Sequence, residues 1–372
     1  MKINYRQLSV MLFMSFIALK FLVLPSALYL TSGNMSWLVV LVIMLLDGLY
    51  AILTINLMQK NQNKNINEFL VSTVGPVLTK VFLLILSLKF LLQVANIVKG
   101  MEFFVVENFY NNFSWILFIL PLIAVVGFMV YKGIRNIARV QEIFFLSIII
   151  GCVYIALKSL SDVDPLVYMP MFKDGVFPLF KSGYTHMSWF GSSVFLLMLF
   201  GKVDFSSAKK KTAFVYIICA ILLVQLLYFV FYGLFDMTSP SHTFAIGDIS
   251  QYSSSKSFID ELSWLVVSLW VVAQTIQIAL YGYCLVISLM FLFGVKSKLL
   301  IITLVSAFVF SLGYIGSVTV NFEQIFFTHI ASIISILAQY FVPLVLLLAN
   351  FIKTRKTNQT KEDKCEKIKN HI

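Results

Sequence analysis

The sequence predicts an all-α membrane protein of ten transmembrane helices, arranged as two five-helix halves in opposite orientations. Three observations predict it: the composition, the count of apolar runs, and a pattern of loop lengths that occurs twice. Of 372 residues, 60% are hydrophobic and 12% are charged, against about 25% charged in a typical globular domain. The mean hydropathy is +0.91. One soluble domain cannot hide that much apolar surface, so the bilayer is the solvent for most of the chain. A soluble enzyme, a secreted disulfide scaffold, a disordered chain and a free nucleic-acid binder are excluded at this step.

Ten runs have the length and apolarity of a span: 7–30, 36–58, 81–106, 113–131, 139–159, 183–201, 211–235, 260–293, 298–316 and 329–352. The first is too long for the apolar core of a signal peptide and has no small-residue cleavage site after it, so it reads as a span. The loops after spans 1 to 4 hold 5, 22, 6 and 7 residues, and those after spans 6 to 9 hold 9, 24, 4 and 12. The long loop follows the second span in each half. The third span is the longest in each half, at 26 and 34 residues. Five spans per half force the halves into opposite orientations, the pattern of the LeuT-like inverted repeat. The chain then divides into a first repeat at 1–159, an external linker at 160–182, a second repeat at 183–352 and a basic tail at 353–372.

The net charge of +11 is a matter of topology. With the N-terminus inside, 21 of the 28 Lys and Arg residues fall on the cytoplasmic side or in the tail. The positive-inside rule therefore places both termini in the cytoplasm. The basic tail reads as a solvated segment facing lipid headgroups.

In an inverted repeat of this kind, the first span of each half is broken near the midplane, where freed backbone groups bind the ligand. The expected break in span 1 is Ser15-Phe16-Ile17-Ala18-Leu19-Lys20, closed by Pro25, which lacks an N–H donor. The expected break in span 6 is Ser188-Trp189-Phe190-Gly191-Ser192-Ser193, where glycine gives backbone freedom and serines can satisfy freed groups. The competing reading of each is a kinked but continuous helix.

Lys20 is the sharpest single residue. A charge at mid-span costs ~3 kcal/mol and must face the protein interior or water. Two readings stand: a contact to a substrate carboxylate or a fixed charge in place of a coupling cation, and a structural ion pair with Asp47 or another carboxylate. Lys89 and Asp47 lie at comparable depth and are expected to pair with each other. In span 3, Gln93, Asn96 and Gly100 recur at helical spacing and make one face polar, as do Gln274 and Gln277 in span 8. These faces either line a cavity or make interhelical hydrogen bonds. His186 opens span 6 as an expected interface residue. Span 8 is longer than the hydrocarbon, with Ser257 and Asp260 as a cap and a tilt, projection or kink near Gly282. The candidate ligand-binding set is Phe16, Ala18, Lys20, Gln93, Asn96, Trp189, Phe190, Gly191, Ser192, Gln274 and Gln277.

Catalytic and metal chemistry has no motif to stand on. There is no HExxH and no P-loop. Cys152, Cys219, Cys284 and Cys365 are too widely spaced for a metal or redox site. The expectation is a non-enzymatic protein with no cofactor and no metal.

The opening at Ile3–Leu8, Val23–Pro25, the run Gly133–Ile143, and the approach from Met169 to Phe190-Gly191 together resemble one known family, the B subunits of spore germinant receptors, in the spore germination permease family of the amino acid–polyamine–organocation superfamily. Ile3-Asn4-Tyr5-Arg6-Gln7-Leu8 resembles that family's opening, and Val23-Leu24-Pro25 resembles the end of its broken first span. Gly133-Ile134-Arg135-Asn136-Ile137-Ala138-Arg139-Val140-Gln141-Glu142-Ile143 is the most specific match. Met169-Pro170, Gly175, Pro178 and Gly183, leading to Phe190-Gly191, resemble the approach to span 6. The chain departs from the family at Ala18 and Lys20, where relatives usually carry glycine, and at Ser192, where many carry Glu. The resemblance implies a nutrient-sensing subunit in the spore inner membrane. It implies A and C receptor subunits as partners and a small nutrient, an amino acid by analogy, as ligand. The alternative is an amino-acid permease, proton-coupled or an exchanger. Membrane lipid is the remaining expected partner, and nucleic acid is not one.

Overall fold

The computed structural model describes residues 2–21, 23–109, 115–169, 172, 175–206, 211–252, 259–318 and 329–353. The described chain is an all-α membrane protein. Among the described residues, six helices are long and apolar enough to cross a bilayer: Leu24–Lys60, Pro76–Phe104, Ile134–Asp162, Lys211–Ser241, Leu265–Phe293 and Ala331–Lys353. Shorter apolar helices lie at Ile116–Lys132, Met187–Leu199 and Lys298–Ser311. The basic tail beyond Lys353 and the expected cap at Ser257 fall outside the described residues.

The chain opens with a two-residue strand β1 (Ile3–Asn4) and helix α1 (Tyr5–Ala18). Apart from Arg6 and Gln7, every residue of α1 is buried. A helix that is apolar all round belongs at the centre of its bundle, and α1 packs there against α7 (Ile134–Ser159), α9 (Lys211–Phe235) and α11 (Ile259–Phe293). After α1 come a tight turn at Leu19–Phe21 and then α2 (Leu24–Ser32). Pro25 sits in the first turn of α2, where its missing N–H leaves nothing unpaired and its fixed φ starts a new helix. Helix α1 continues past Ser15, whose hydroxyl returns to the Met11 carbonyl at 2.8 Å, as far as Ala18, so the interruption follows at Leu19–Phe21 rather than opening at 15.

Helix α3 (Ser36–Lys60) carries Asp47 at its middle. A capping box between Asn65 and Glu68 starts the short α4 (Ile66–Val74), and α5 (Pro76–Phe109) follows. Helices α5 and α11 lie along each other as the main internal pair. At 35 residues α11 is about 52 Å long and runs through Gly282 as one helix. Gly282 serves close packing: an added Cβ would stand 3.5 Å from Val130 of α6 (Trp115–Lys132). Helices α6 and α12 (Lys298–Val318) turn Leu117, Leu120, Phe128, Leu299, Leu304 and Phe308 outward, an apolar exterior suited to lipid.

The sixth apolar segment is not a regular helix. A short α8 (Phe177–Thr185) leads to a tight turn at Met187–Trp189, extended backbone at Phe190, Gly191 at φ +89°, and a tight helical stretch at Val194–Leu199. The chain then forms strand β2 (Val203–Asp204), which pairs in parallel with β1. Helix α10 (Ala245–Tyr252) lies between α9 and α11 in sequence, and α13 (Ala331–Ile336) runs into a π turn at Leu337–Phe341. At the β1 end, Arg6 pairs with Glu142 at 3.3 Å and Gln7 donates to the same carboxylate at 3.2 Å. Elsewhere Phe104 of α5, Phe244 and Trp270 of α11 close over one another, with ring centroids 5.0 and 5.5 Å from Phe104.

Candidate functional site

The two interrupted segments meet. Lys20, in the turn after α1, donates from Nζ to the Trp189 carbonyl at 2.6 Å and lies 4.2 Å over the centre of the Phe190 ring. The break at 188–192 leaves backbone groups without helical partners, and each such buried group costs several kcal/mol if left unmet. A charged side chain buried without partners carries a comparable penalty. Here each deficit offsets the other.

On the carbonyl side, Lys89 of α5 donates to Ser188 at 3.0 Å, to Phe190 at 2.8 Å and to the Ser335 hydroxyl at 3.0 Å. Three donated bonds use all three protons of an ammonium. On the amide side, Asp47 Oδ2 accepts from Gly191 N–H at 2.9 Å and Ser192 N–H at 3.2 Å. Its Oδ1 accepts from the Gln339 amide. Lys20, Asp47 and Lys89 are each fully buried. The expected direct pair between Asp47 and Lys89 is not what forms. Each bonds to the break, one at its donors and the other at its acceptors, because the unwound backbone offers each charge more bonds than the other charge could.

Gly191 is required on two counts. Its φ of +89° is one that side-chain-bearing residues rarely adopt. An added Cβ would stand 2.9 Å from Gln339 Oε1 and 3.1 Å from Lys89 Cε. Gln339 reaches Asp47 from the π turn at Leu337–Phe341, and such turns recur where a side chain must be re-aimed. The break after α1 is held in the same way. Tyr228 donates to the Lys20 carbonyl at 2.8 Å, Tyr232 to the Pro25 carbonyl at 2.9 Å, and the Gln274 amide to the Ala18 carbonyl.

The polar faces of α5 and α11 both point inward. Ser15 Oγ, whose proton goes to the Met11 carbonyl, lies 3.2 Å from the Gln277 side-chain amide. Among the described residues, both amide atoms of Gln93, Gln274 Oε1, Gln277 Nε2 and Ser192 Oγ are buried without a hydrogen-bond partner. Asn96 is buried one turn along α5 from Gln93, and Phe16 is buried in α1. A narrow apolar crevice lies beside Ala18, with Met14, Ile148, Cys152, Ile246 and Trp270 among its walls.

The structure therefore brings Lys20, Trp189, Phe190, Gly191 and Ser192 into one cluster, and ties Ala18 to Gln274. The candidate set omits Asp47, Lys89, Ser335 and Gln339. The two charges are visible as mid-span residues, but their spacing does not show that they hold the break. A lone glutamine and a serine in an apolar run give no signal at all.

A family model described as spore germination protein matches residues 2–319. The chain is also similar to spore germination protein KB of Bacillus subtilis (strain 168), at 22% identity over 301 residues, covering 80% of each chain.

Proposed function

The chain belongs to this spore germination protein family, and from that premise we propose that it is the nutrient-sensing subunit of a spore germinant receptor. In this reading a small nutrient, an amino acid by analogy, binds at mid-membrane between the broken first and sixth helices. The observation that carries it is the meeting of the two breaks at Lys20 and Trp189. Freed backbone at membrane depth is tolerated where it is buried in protein or lines a binding cavity.

The same reading supplies the finer architecture. Ten spans form a LeuT-like repeat of five plus five, with 1–159 and 183–352 as the halves and 160–182 as the external linker. Matched loop lengths and the two breaks support it, and the distribution of basic residues supports cytoplasmic termini. The partners are the A and C receptor subunits, and the site of action is the spore inner membrane. Ligand binding favours one arrangement of the halves, and the partner subunits read that arrangement.

The test is germination of spores lacking this gene across single amino acids, sugars and salts. The expected result is loss of response to one nutrient, restored by the wild-type gene and not by Lys20→Ala. Normal germination together with impaired amino-acid uptake in growing cells would replace the receptor reading with that of a permease.

A further inference from the structure

We propose that the crevice between α6 and α12 is a site for one anionic phospholipid, with an acyl chain in the crevice and the headgroup phosphate on the lysines at its end. The proposal goes beyond the receptor reading and does not depend on a ligand at the two breaks. The crevice is walled by Val94, Leu122, Val130, Val286, Ile302 and Val309, with α5 and α11 as its back. Val126, Gly127, Val305 and Ser306 lie half-buried along its rim, so it opens sideways between α6 and α12. Phe128, Leu304 and Phe308 beside that opening are exposed and apolar, so what faces the crevice is hydrocarbon.

Its length is that of one leaflet. From Leu122 to Val130, α6 rises about 12 Å, against about 15 Å for half of a bilayer's hydrocarbon core. Gly127 helps to keep the furrow open: an added Cβ there would still stand 3.8 Å from Ile302.

Charge names the headgroup. The crevice ends where α6 stops at Lys132 and α12 starts at Lys298. Residues 127–135 and 294–302 contain Lys132, Arg135, Lys296 and Lys298 and no Asp or Glu. Lys298 donates to the carbonyls of Val130 at 2.6 Å and Tyr131 at 3.0 Å, which uses two of its three protons. Lys298 and Lys202 stand over the same Tyr283 ring, 5.3 and 4.9 Å from its centre. Among the described residues neither is paired with a carboxylate. Two ammonium groups held at one ring repel each other, and a nearby anion relieves that repulsion. A phosphodiester brings one negative charge on two free oxygens. In phosphatidylcholine the headgroup's own cation cancels that charge, and in phosphatidylglycerol nothing does. Basic residues at a membrane surface attract any anionic bilayer. The crevice adds a seat for the tail and so fixes one lipid at one place.

The test titrates the purified full chain in detergent with phosphatidylglycerol and phosphatidylcholine of matched acyl chains, read by native mass spectrometry. The expected result is one phosphatidylglycerol retained about tenfold more tightly than phosphatidylcholine. Equal retention of the two would overturn the proposal, and this comparison needs no variant. Lys132→Gln combined with Lys296→Gln removes exposed charges and is expected to erase the preference. Gly127→Leu fills the crevice, leaves the lysines in place and is expected to weaken binding of phosphatidylglycerol about tenfold. Unchanged retention in Gly127→Leu would put the lipid elsewhere and overturn the proposal. Phosphatidylglycerol is expected to raise the melting temperature of the wild-type chain, and inorganic phosphate at the same concentration is expected to leave it unchanged. An equal shift by phosphate would mean an anion patch without a tail site, which also overturns the proposal.

Discussion

Ser188 and Ser192 stand four residues apart, the spacing of a helical hydrogen bond, yet they are joined through two other side chains. The Ser188 carbonyl accepts from Lys89 at 3.0 Å, and the Ser192 N–H donates to Asp47 at 3.2 Å. A positive and a negative charge have been inserted where one backbone bond would be. The break is thus a built feature, held from α3 and α5.

This predicts strong coupling between the two charges. Removing either charge leaves the buried backbone groups it satisfies unmet, at about 1–3 kcal/mol for each group. Asp47→Asn and Lys89→Met should each lower thermal stability of the purified protein sharply. The double variant should fall short of the sum by ~1 kcal/mol or more, although the two side chains do not touch. Simple additivity in a double-mutant cycle would show that the two act independently.

Gly191→Ala should destabilise by about 1–3 kcal/mol from backbone strain alone. The crowding at Gln339 Oε1 and Lys89 Cε adds to this. Gln339→Ala in the same chain should relieve part of the loss, since it removes the nearest obstruction. A melting-temperature series on the single and double variants checks this.

Tyr228→Phe and Tyr232→Phe remove the hydroxyls that hold the carbonyls of Lys20 and Pro25. Each should cost about 1–3 kcal/mol by leaving a buried acceptor unmet. Both should also speed backbone amide exchange at residues 19–25, read by hydrogen-exchange mass spectrometry. Exchange confined to its wild-type rate would mean the turn is held by packing alone.

The Arg6–Glu142 pair should behave differently. Arg6 is 73% exposed and Glu142 30%, so Glu142→Gln should change stability by under about 1 kcal/mol, and less at high salt. A large loss would assign the contact a role beyond pairing.

Some of this was legible in the sequence for physical reasons. Mid-membrane backbone must be satisfied, so Pro25 and the run Gly191-Ser192-Ser193 mark interruptions from one strand of text. The first interruption lies nearer Pro25 than the serine suggested, since α1 continues past Ser15 to Ala18. Lys20, Asp47 and Lys89 announce buried partners by their depth alone. Which partners they take was not legible. An expected charge-to-charge pair loses to the backbone groups at 188–192, whose position in space depends on how the two interrupted segments cross. Gln339 could not be found either, since a π turn has no clear signature in an apolar run.

The partners of the charged residues also lie far along the chain. Lys89 waits 99 residues for Ser188, and Asp47 waits 144 for Gly191. At a synthesis rate of about 5–20 residues per second, the first of these gaps lasts about 5–20 s. During that interval the early helices enter the bilayer with their ammonium and carboxylate groups unanswered. The strand at Ile3–Asn4 likewise has no neighbour until Val203 is made. The charged contacts of the first part of this protein therefore close only once residues 188–192 have been made.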